Sequence, residues 1–280
     1  MNLPFVKYQS LGNDFILIKH ADLLVRYGPS FVESDAFKQQ IILWCNRHFG
    51  IGADGVLVVT DKPENLSVTI FNADGSQGQF SGNGIRSAAH YFQQRFDITT
   101  PFEVMMGGKN MSCFLDINNI VVTKLSPGTY QGPHSAALVD QIFKGDLCDV
   151  GNPHFLIEMP KDLLIGNIAT DFKVIQKKLM QVGYDLVIHQ GMDNQVNVEF
   201  FWEVSPSYYI LIPFERGAGM TLACSSGAAA LAWTLYTKKR LLQNQELEIM
   251  MEGGVVKITI DADQKICLSA RAQQVFKGVY

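Results

Sequence analysis

The sequence predicts an α+β fold of two similar halves, and three observations carry that expectation. Short stretches such as Leu66-Ser67-Val68-Thr69-Ile70-Phe71 alternate in strand fashion along much of the chain. Each half holds one long helix that opens on glycines, so a doubly wound sheet, with its regular strand and helix alternation, is disfavoured. The two helix starts also resemble each other. Aligning Ser81 of Phe80-Ser81-Gly82-Asn83-Gly84 with Cys224 of Ala223-Cys224-Ser225-Ser226-Gly227 also aligns Gly84 with Gly227 and Ala89 with Ala232. Two such starts imply pseudo-symmetric halves that face one another across one cleft. Glycine loops before buried helices would give the same pattern, so the pairing alone leaves the function open.

Taken in order, Phe5–Gln9 reads as a strand, and Leu11-Gly12-Asn13-Asp14-Phe15 as a turn into Ile16-Leu17-Ile18. Ser34 to Arg47 has helical spacing, and Val56–Val59 is a buried strand. Leu66–Phe71 delivers Asn72 to a glycine turn, which leads to a helix over Gly84–Phe96. The strands Phe102–Met106, Asn110–Leu115 and Ile120–Lys124 follow. Ser126-Pro127-Gly128 with Gln131-Gly132-Pro133-His134 marks the boundary between halves. The expected domains are 1–126 with about 268–280, and 127–267. In the second half, Val150-Gly151-Asn152-Pro153 turns into a strand from His154, and a helix lies near Asp171–Gln181. Asn194–Phe200 is a strand with a polar tip, and Tyr208–Ile212 leads to Glu215-Arg216. Leu247–Phe276 alternates like hairpin strands around Gly253-Gly254.

Composition narrows the function. A chain of 280 residues with 47% hydrophobic and 18% charged residues is an ordinary globular protein with a full core. Its net charge of −4 argues against a nucleic-acid partner, which would require a basic face. No apolar run reaches membrane-spanning length, and Met1–His20 lacks the organisation of a signal peptide, so a cytoplasmic protein is expected. The five cysteines, Cys45, Cys113, Cys148, Cys224 and Cys267, are scattered and form no CxxC pair. Neither a disulfide framework nor a metal site is expected. Cys113 and Cys267 read as core positions. Cys224 differs, because the first turn of a helix leaves amide donors unpaired and carries partial positive charge. A carboxylate can sit there, and the cysteine is expected to be biased toward thiolate. His48, His90 and His154 beside glycine turns read as satisfied structural groups.

The motifs Leu11-Gly12-Asn13-Asp14-Phe15, Arg47-His48-Phe49-Gly50-Ile51-Gly52-Ala53-Asp54, Asn72-Ala73-Asp74-Gly75-Ser76 with Gly82-Asn83-Gly84, Gly151-Asn152-Pro153-His154, Asn197, and Glu215-Arg216-Gly217 through Gly227 occur in this order. In them the chain resembles the diaminopimelate epimerases over nearly its whole length. The resemblance implies two domains, each a barrel-like antiparallel or mixed sheet around a central helix, and commonly a homodimer. It implies a cofactor-free epimerase that removes the α-proton of diaminopimelate on one face and returns a proton on the other through a thiolate–thiol pair. Cys224 and Ser81 stand in the two catalytic places. Gly82-Asn83 and Ser225-Ser226 would supply donors to the reacting carboxylate as it takes on enediolate character. Asn72, Asn152, Asn197 and Arg216 would bind the distal carboxylate and Glu215 the distal ammonium, with Asn13 also in the substrate-binding set.

The chain departs from the family pattern where it matters most. Ser81 stands where the family has its first catalytic cysteine, and a serine hydroxyl has no accessible anion near neutrality without an adjacent base. Ser225 replaces a glycine, Met220 a glutamate, Phe214 a larger aromatic, and Gly55 a glutamine that lines the substrate site. Three readings follow. One is a diaminopimelate epimerase with a Ser/Cys pair, natural or introduced as a cysteine-to-serine change. Another is a divergent paralogue that racemises another amino acid, or that eliminates or exchanges on one face with Cys224 alone. The third is an amino-acid-binding homologue that has lost turnover.

Overall fold

The structure, a computed structural model, describes residues 2–62, 65–78, 80–116, 118, 120–138, 141–161, 168–189, 196–216 and 218–280. The chain forms two compact units, residues 1–124 with 269–280, and residues 125–268. The α+β class expected from the sequence is the class observed.

The first unit contains β1 (Pro4–Ser10), β2 (Asn13–Lys19), α1 (His20–Tyr27), α2 (Asp35–Cys45), β3 (Gly55–Lys62), β4 (Asn65–Asn72), α3 (Gly82–Phe96), β5 (Phe102–Met106), β6 (Lys109–Leu115) and β7 (Ile120–Leu125). Leu11 and Gly12 join β1 to β2 with φ of 53° and 77°, the left-handed pair that a two-residue hairpin requires. Asn13 and Asp14 therefore lie in β2, opposite Ser10 and Gln9, and not in the turn expected from the sequence. β2 and β3 run parallel, with α1 and α2 in the crossover. Ile16, Ile18, Val56 and Val58 face those helices in a cluster with Leu23, Phe37, Ile41 and Trp44. The alternate residues Leu17 and Leu57 are equally buried on the opposite face. Both faces of this strand pair are covered, which explains its unbroken apolar sequence. α3 packs against β1 through β6, so the sheet wraps around it.

The second unit repeats the plan. It contains β8 (Thr129–Leu138), β9 (Gln141–Asp149), β10 (Pro153–Glu158), α4 (Ile168–His189), β11 (Asn197–Ser205), β12 (Tyr208–Glu215), β13 (Gly219–Met220), α5 (Ser225–Thr237), β14 (Leu247–Met251), β15 (Gly254–Ile260) and β16 (Ile266–Arg271). The last strand, β17 (Gln273–Val279), pairs with β1 and lies against α3. β10 and β11 are the parallel pair here, and α4 covers them from outside with Phe172, Ile175, Leu179 and Leu186. α5 packs against β8 through β11 and β15 and is buried from Ser225 to Leu235. Its run of Ala228, Ala229, Ala230 and Ala232 lets strands approach on every side, as an all-round apolar helix demands.

Several expected boundaries shift. Residues 131–134 are not a linker but part of β8. Gly132, at φ 98°, sits beside an irregularity in the β8–β9 register and supplies the turn signal seen in the sequence. α2 ends at Cys45, two residues before Arg47, and α3 begins at Gly82 because Ser81 caps it. α4 is longer than Asp171–Gln181. Gly183 lies inside it because a Cβ there would fall 2.5 Å from the Phe214 ring. Asn194, Gln195 and Gly217, which the motifs include, lie outside the described residues. Among the described residues no helix is long and apolar enough to cross a membrane.

Candidate active site

The two helix starts are built alike. Ser81 is the N-cap of α3, with its hydroxyl accepting from the Gly84 amide at 3.0 Å. Cys224 is the N-cap of α5, with its sulfur accepting from the Gly227 amide at 3.3 Å. The Ser81 amide donates to the Met106 sulfur at 3.3 Å, and the Cys224 amide donates to the Met251 sulfur at 3.4 Å. Each methionine ends the strand before a hairpin, β5–β6 or β14–β15. The alignment of Ser81 with Cys224 thus extends from sequence to backbone and to the supporting strands.

What lies behind the two caps differs. A Cβ on Gly84 would meet the Leu57 methyl at 3.2 Å, whereas a Cβ on Gly227 would meet the Glu199 carboxyl at 2.2 Å. Matching these contacts aligns Leu57 with Glu199. The parallel registers then align Phe15 with His154 and Gly55 with Asn197. The first half-site is backed by apolar groups and the second by titratable ones. Glu199 and His154 are both fully buried, and His154 Nδ1 lies 2.9 Å from Glu199 Oε1.

Cys224 is 2% exposed, and its surroundings overturn the expected bias toward thiolate. Burial pushes its thiol well above the usual range, and the charges of Glu215 and Glu199 push it further. The Ser226 hydroxyl and the Gly227 amide oppose the shift without reversing it. Burial likewise pushes Glu199 well up, helped by Glu215, and drives His154 down to about 3. Burial thus disfavours the charged form of each of the three groups. One donor atom from each lies within 4.8 Å of the others. The 2.9 Å approach of Nδ1 to Oε1 is a hydrogen-bond length, which fits a shared proton better than an intervening ion.

The remaining predicted residues group by unit. In the second unit Ser226 lies 3.4 Å from the Cys224 sulfur and accepts from Asn152 Nδ2 at 3.3 Å. Asn197 Oδ1 accepts the Arg216 amide at 2.9 Å, which fixes the backbone where β12 ends and leaves the Arg216 side chain exposed. Glu215 accepts the Thr221 hydroxyl. Ser225 is buried in the first turn of α5.

In the first unit Gly82 and Asn83 occupy the first turn of α3. Asn83 Nδ2 donates to Asn13 Oδ1 at 3.2 Å, and Asn13 Nδ2 donates to Asp54 at 2.9 Å. Arg47 bridges Asp54 and Asp14, so the Asn-Asp and Arg-His motifs of the sequence meet in one network. Asn72 donates to the Ser76 hydroxyl at 2.9 Å and works as a turn cap in this structure.

Sequence reasoning missed Glu199 and set His154 aside. The available signal was polarity in the wrong place. Asn197 and Glu199 sit two apart in the buried part of β11, residues 197–202, whose other members are apolar, and β-pleating puts both on the face toward α5.

Comparison with known proteins adds a name to this geometry. A family model described as diaminopimelate epimerase matches residues 5–124. The diaminopimelate epimerase of Methanococcus aeolicus is 31% identical over 293 residues, covering 94% of each chain. That of Rippkaea orientalis is 30% identical over 308 residues, covering 100% of this chain and 99% of its own. A probable proline racemase from Agrobacterium radiobacter K84, solved with bound carbonate, shares the fold at a TM-score of 0.70 and 12% identity, covering 99% of this chain and 92% of that one. With both helix starts in place and near full-length identity at this level, the chain belongs to the diaminopimelate epimerase family, a family of amino-acid isomerases.

Proposed function

We propose that this isomerase acts on diaminopimelate and interconverts its LL and meso forms by moving the proton at one α-carbon. That activity would serve lysine and peptidoglycan precursor synthesis. The observation that carries the reading is the Cys224 half-site: a thiol capping a buried helix beside a carboxyl–imidazole pair, with Asn152, Asn197 and Glu215 in the same unit. A thiol is the group here whose protonation can follow a weak carbon acid. Cys224 takes the α-proton, and Ser81, directly or through water, returns one on the opposite face. The first-turn amides at Gly82-Asn83 and Ser225-Ser226 hold the reacting carboxylate and stabilise its enediolate character. The exposed Arg216 suits the distal carboxylate, with the amides of Asn13, Asn72, Asn152 and Asn197 adding neutral donors, and Glu215 suits the distal ammonium. Proton transfer between thiol, carbon and hydroxyl asks for no cofactor.

A second reading is favoured by Ser81 and the apolar backing of its half-site. In it the protein exchanges the proton on one face without inverting the centre. The test is deuterium wash-in at the α-carbons of diaminopimelate, with the stereochemistry followed, for the unaltered chain and for Ser81→Cys. Inversion by the unaltered chain supports epimerisation. Wash-in without inversion by the unaltered chain, converted to inversion by Ser81→Cys, supports the one-face reading for the chain as it stands. Diaminopimelate binding with no exchange in both forms sinks the enzyme reading.

A further inference from the structure

The two units carry equivalent polar contacts at their helix starts, and the contacts run in opposite directions. Aligning Phe15 with His154 makes Asn13 the counterpart of Asn152, and aligning Ser81 with Cys224 makes Asn83 the counterpart of Ser226. In the second unit the strand residue is the donor, with Asn152 Nδ2 donating to the Ser226 hydroxyl at 3.3 Å. In the first unit the helix residue is the donor, with Asn83 Nδ2 donating to Asn13 Oδ1 at 3.2 Å. A carboxamide donates at one end and accepts at the other, so its neighbours decide which way it faces. Beside Asn13 lies Asp54, whose carboxylate accepts from Asn13 Nδ2 at 2.9 Å and from Arg47 at 2.8 Å. Beside Asn83 lies Arg86, which donates to Asn83 Oδ1 and, through Nε, to the Ser10 hydroxyl at 3.1 Å. Ser10 and Asn13 are register partners at the end of the β1–β2 hairpin, so one guanidinium ties that hairpin end to the first turn of α3. Arg86 is 0% exposed, and burial pushes it down to about 10, which leaves it a cation at neutral pH. The same alignments give Asp54 and Arg86 the counterparts Val196 and Ala229 in the second unit. The contact is reversed where the two charges are missing, so the fold itself requires neither.

We propose that Arg86 and Asp54 are positioning residues of the first half-site, a cation and an anion that close the two ends of the chain Arg86–Asn83–Asn13–Asp54 and fix both amides in one direction. Every link then donates toward Asp54. Turning Asn13 over would set its oxygen against the Asp54 carboxylate. Turning Asn83 over would set its amide hydrogens against the Arg86 guanidinium. Either error exchanges a charge-assisted hydrogen bond for a repulsion, and the two ends enforce the same answer. Asn83 belongs to the first turn of α3, whose amides meet the reacting carboxylate in the proposed reaction. A side chain anchored at both ends keeps that turn from shifting as charge builds on the carboxylate. The second half-site lacks the device, because the side chains of Val196 and Ala229 neither donate nor accept. The kinetic consequence rests on the proposed epimerase reading, but the chain itself is testable without turnover.

The test uses Asp54→Asn, which keeps size and removes the anion, and Arg86→Lys, which keeps the charge and removes the fork that reaches Ser10 and Asn83 together. In the protein labelled with nitrogen-15 at asparagine, each substitution should shift the side-chain amide signals of both Asn13 and Asn83 and speed their hydrogen exchange, although one asparagine stands between the altered residue and the farther signal. A change confined to the adjacent asparagine overturns the chain. Asp54 is partly exposed, so its variant decides this point even if the buried Arg86→Lys fails to fold. In diaminopimelate wash-in, each single variant should lose about tenfold in kcat with KM changed by less than about threefold, because the positioned turn matters most in the transition state. The double variant should lose no more than the worse single one, since both act on one unit. Losses that multiply, or that fall on KM alone, overturn the proposal. An absence of wash-in from the unaltered chain, with the two amide signals still coupled, would sink the functional reading and leave the chain of contacts standing.

Discussion

The carboxyl group of Glu199 lies so close to the α-carbon of Gly227 that a methyl group there would meet Oε1 at 2.2 Å. Glycine at the third helical position of α5 is thus a matter of space, not of backbone angle, since its φ is not in the left-handed region. The contact seats the buried carboxyl directly under the first turn of α5, whose Gly227 amide already donates to the Cys224 sulfur. A Cβ on the corresponding Gly84 of α3 would meet a leucine methyl and the Ser81 Cβ at 3.2 Å, a much looser fit. One architecture therefore carries two unlike half-sites.

From that contrast we expect Gly227→Ala to be far more damaging than Gly84→Ala. Overpacking of this kind costs about 1–3 kcal/mol, and here the group that must give is a buried carboxyl with little room. Urea denaturation of both variants checks the difference in stability. Equal midpoints for the two would show that Glu199 has space to move aside.

Ser81 is a cap whatever its part in proton transfer. Its hydroxyl accepts the Gly84 amide, one of the donors that α3 would otherwise leave unpaired. Ser81→Ala should lower stability by ~0.5–2 kcal/mol, as for other lost N-caps. Ser81→Cys should lose less, because Cys224 shows a sulfur accepting the equivalent amide at 3.3 Å. Thermal unfolding of the two variants gives the ranking. If both lose equally, the helix start does not depend on an acceptor at position 81.

The part of this site written in local sequence was legible, and the part written in strand register was not. Small residues after Ser81 and Cys224 announce close backbone approach, and the structure uses both residues as caps. The α+β class followed from strand alternation, because pleating forces it wherever one face is buried. His154 and Glu199 are 45 positions apart, and only the parallel β10–β11 pairing brings them together. His154 beside a glycine turn looked structural for that reason. The expected thiolate at Cys224 failed on the same ground. A helix start is visible in one stretch of sequence, but the carboxylates and the burial that overrule it come from elsewhere. Asn13 was read as part of a turn, although the left-handed turn needs only Leu11 and Gly12.

Asn197 holds the chain where β12 ends, by accepting the Arg216 amide. Replacing it with leucine, of similar size, leaves that amide without its acceptor, at ~1–3 kcal/mol. On the proposed function the larger effect should fall on recognition. Asn197→Leu should raise KM for diaminopimelate, with a smaller change in kcat, because it loosens the backbone that presents Arg216 to the distal carboxylate. Arg216→Met should do the same with no change in stability, since that side chain is exposed. Steady-state kinetics beside thermal melts separate the two effects. A loss confined to kcat in both variants would contradict the distal-binding role.

Acid should find a weak point in the first unit at Asp14. Burial alone would raise its carboxyl, but hydrogen bonds from Arg47 and Lys7, reinforced by their charges, outweigh burial and hold it down at about 2. Lys7 Nζ lies 2.7 Å from it, and Arg47 bridges it to Asp54. A carboxyl whose folded pKa is depressed stabilises the fold at every pH above its unfolded value, near ~3.9. That stabilisation is lost as pH falls from there through the folded value. The shift corresponds to ~2–3 kcal/mol, with the smaller figure favoured because Arg47 is more than half exposed and solvent screens it. Asp14→Asn should therefore lower stability at neutral pH by about that amount. It should also flatten the fall in stability between pH ~4 and ~2, leaving the two proteins alike at the acid end. Urea titrations across that range test it directly. An unchanged acid limb in Asp14→Asn would assign the acid sensitivity to another carboxyl, and a full loss of stability at neutral pH that persists at pH ~2 would mean that Asp14 acts by packing instead of by charge.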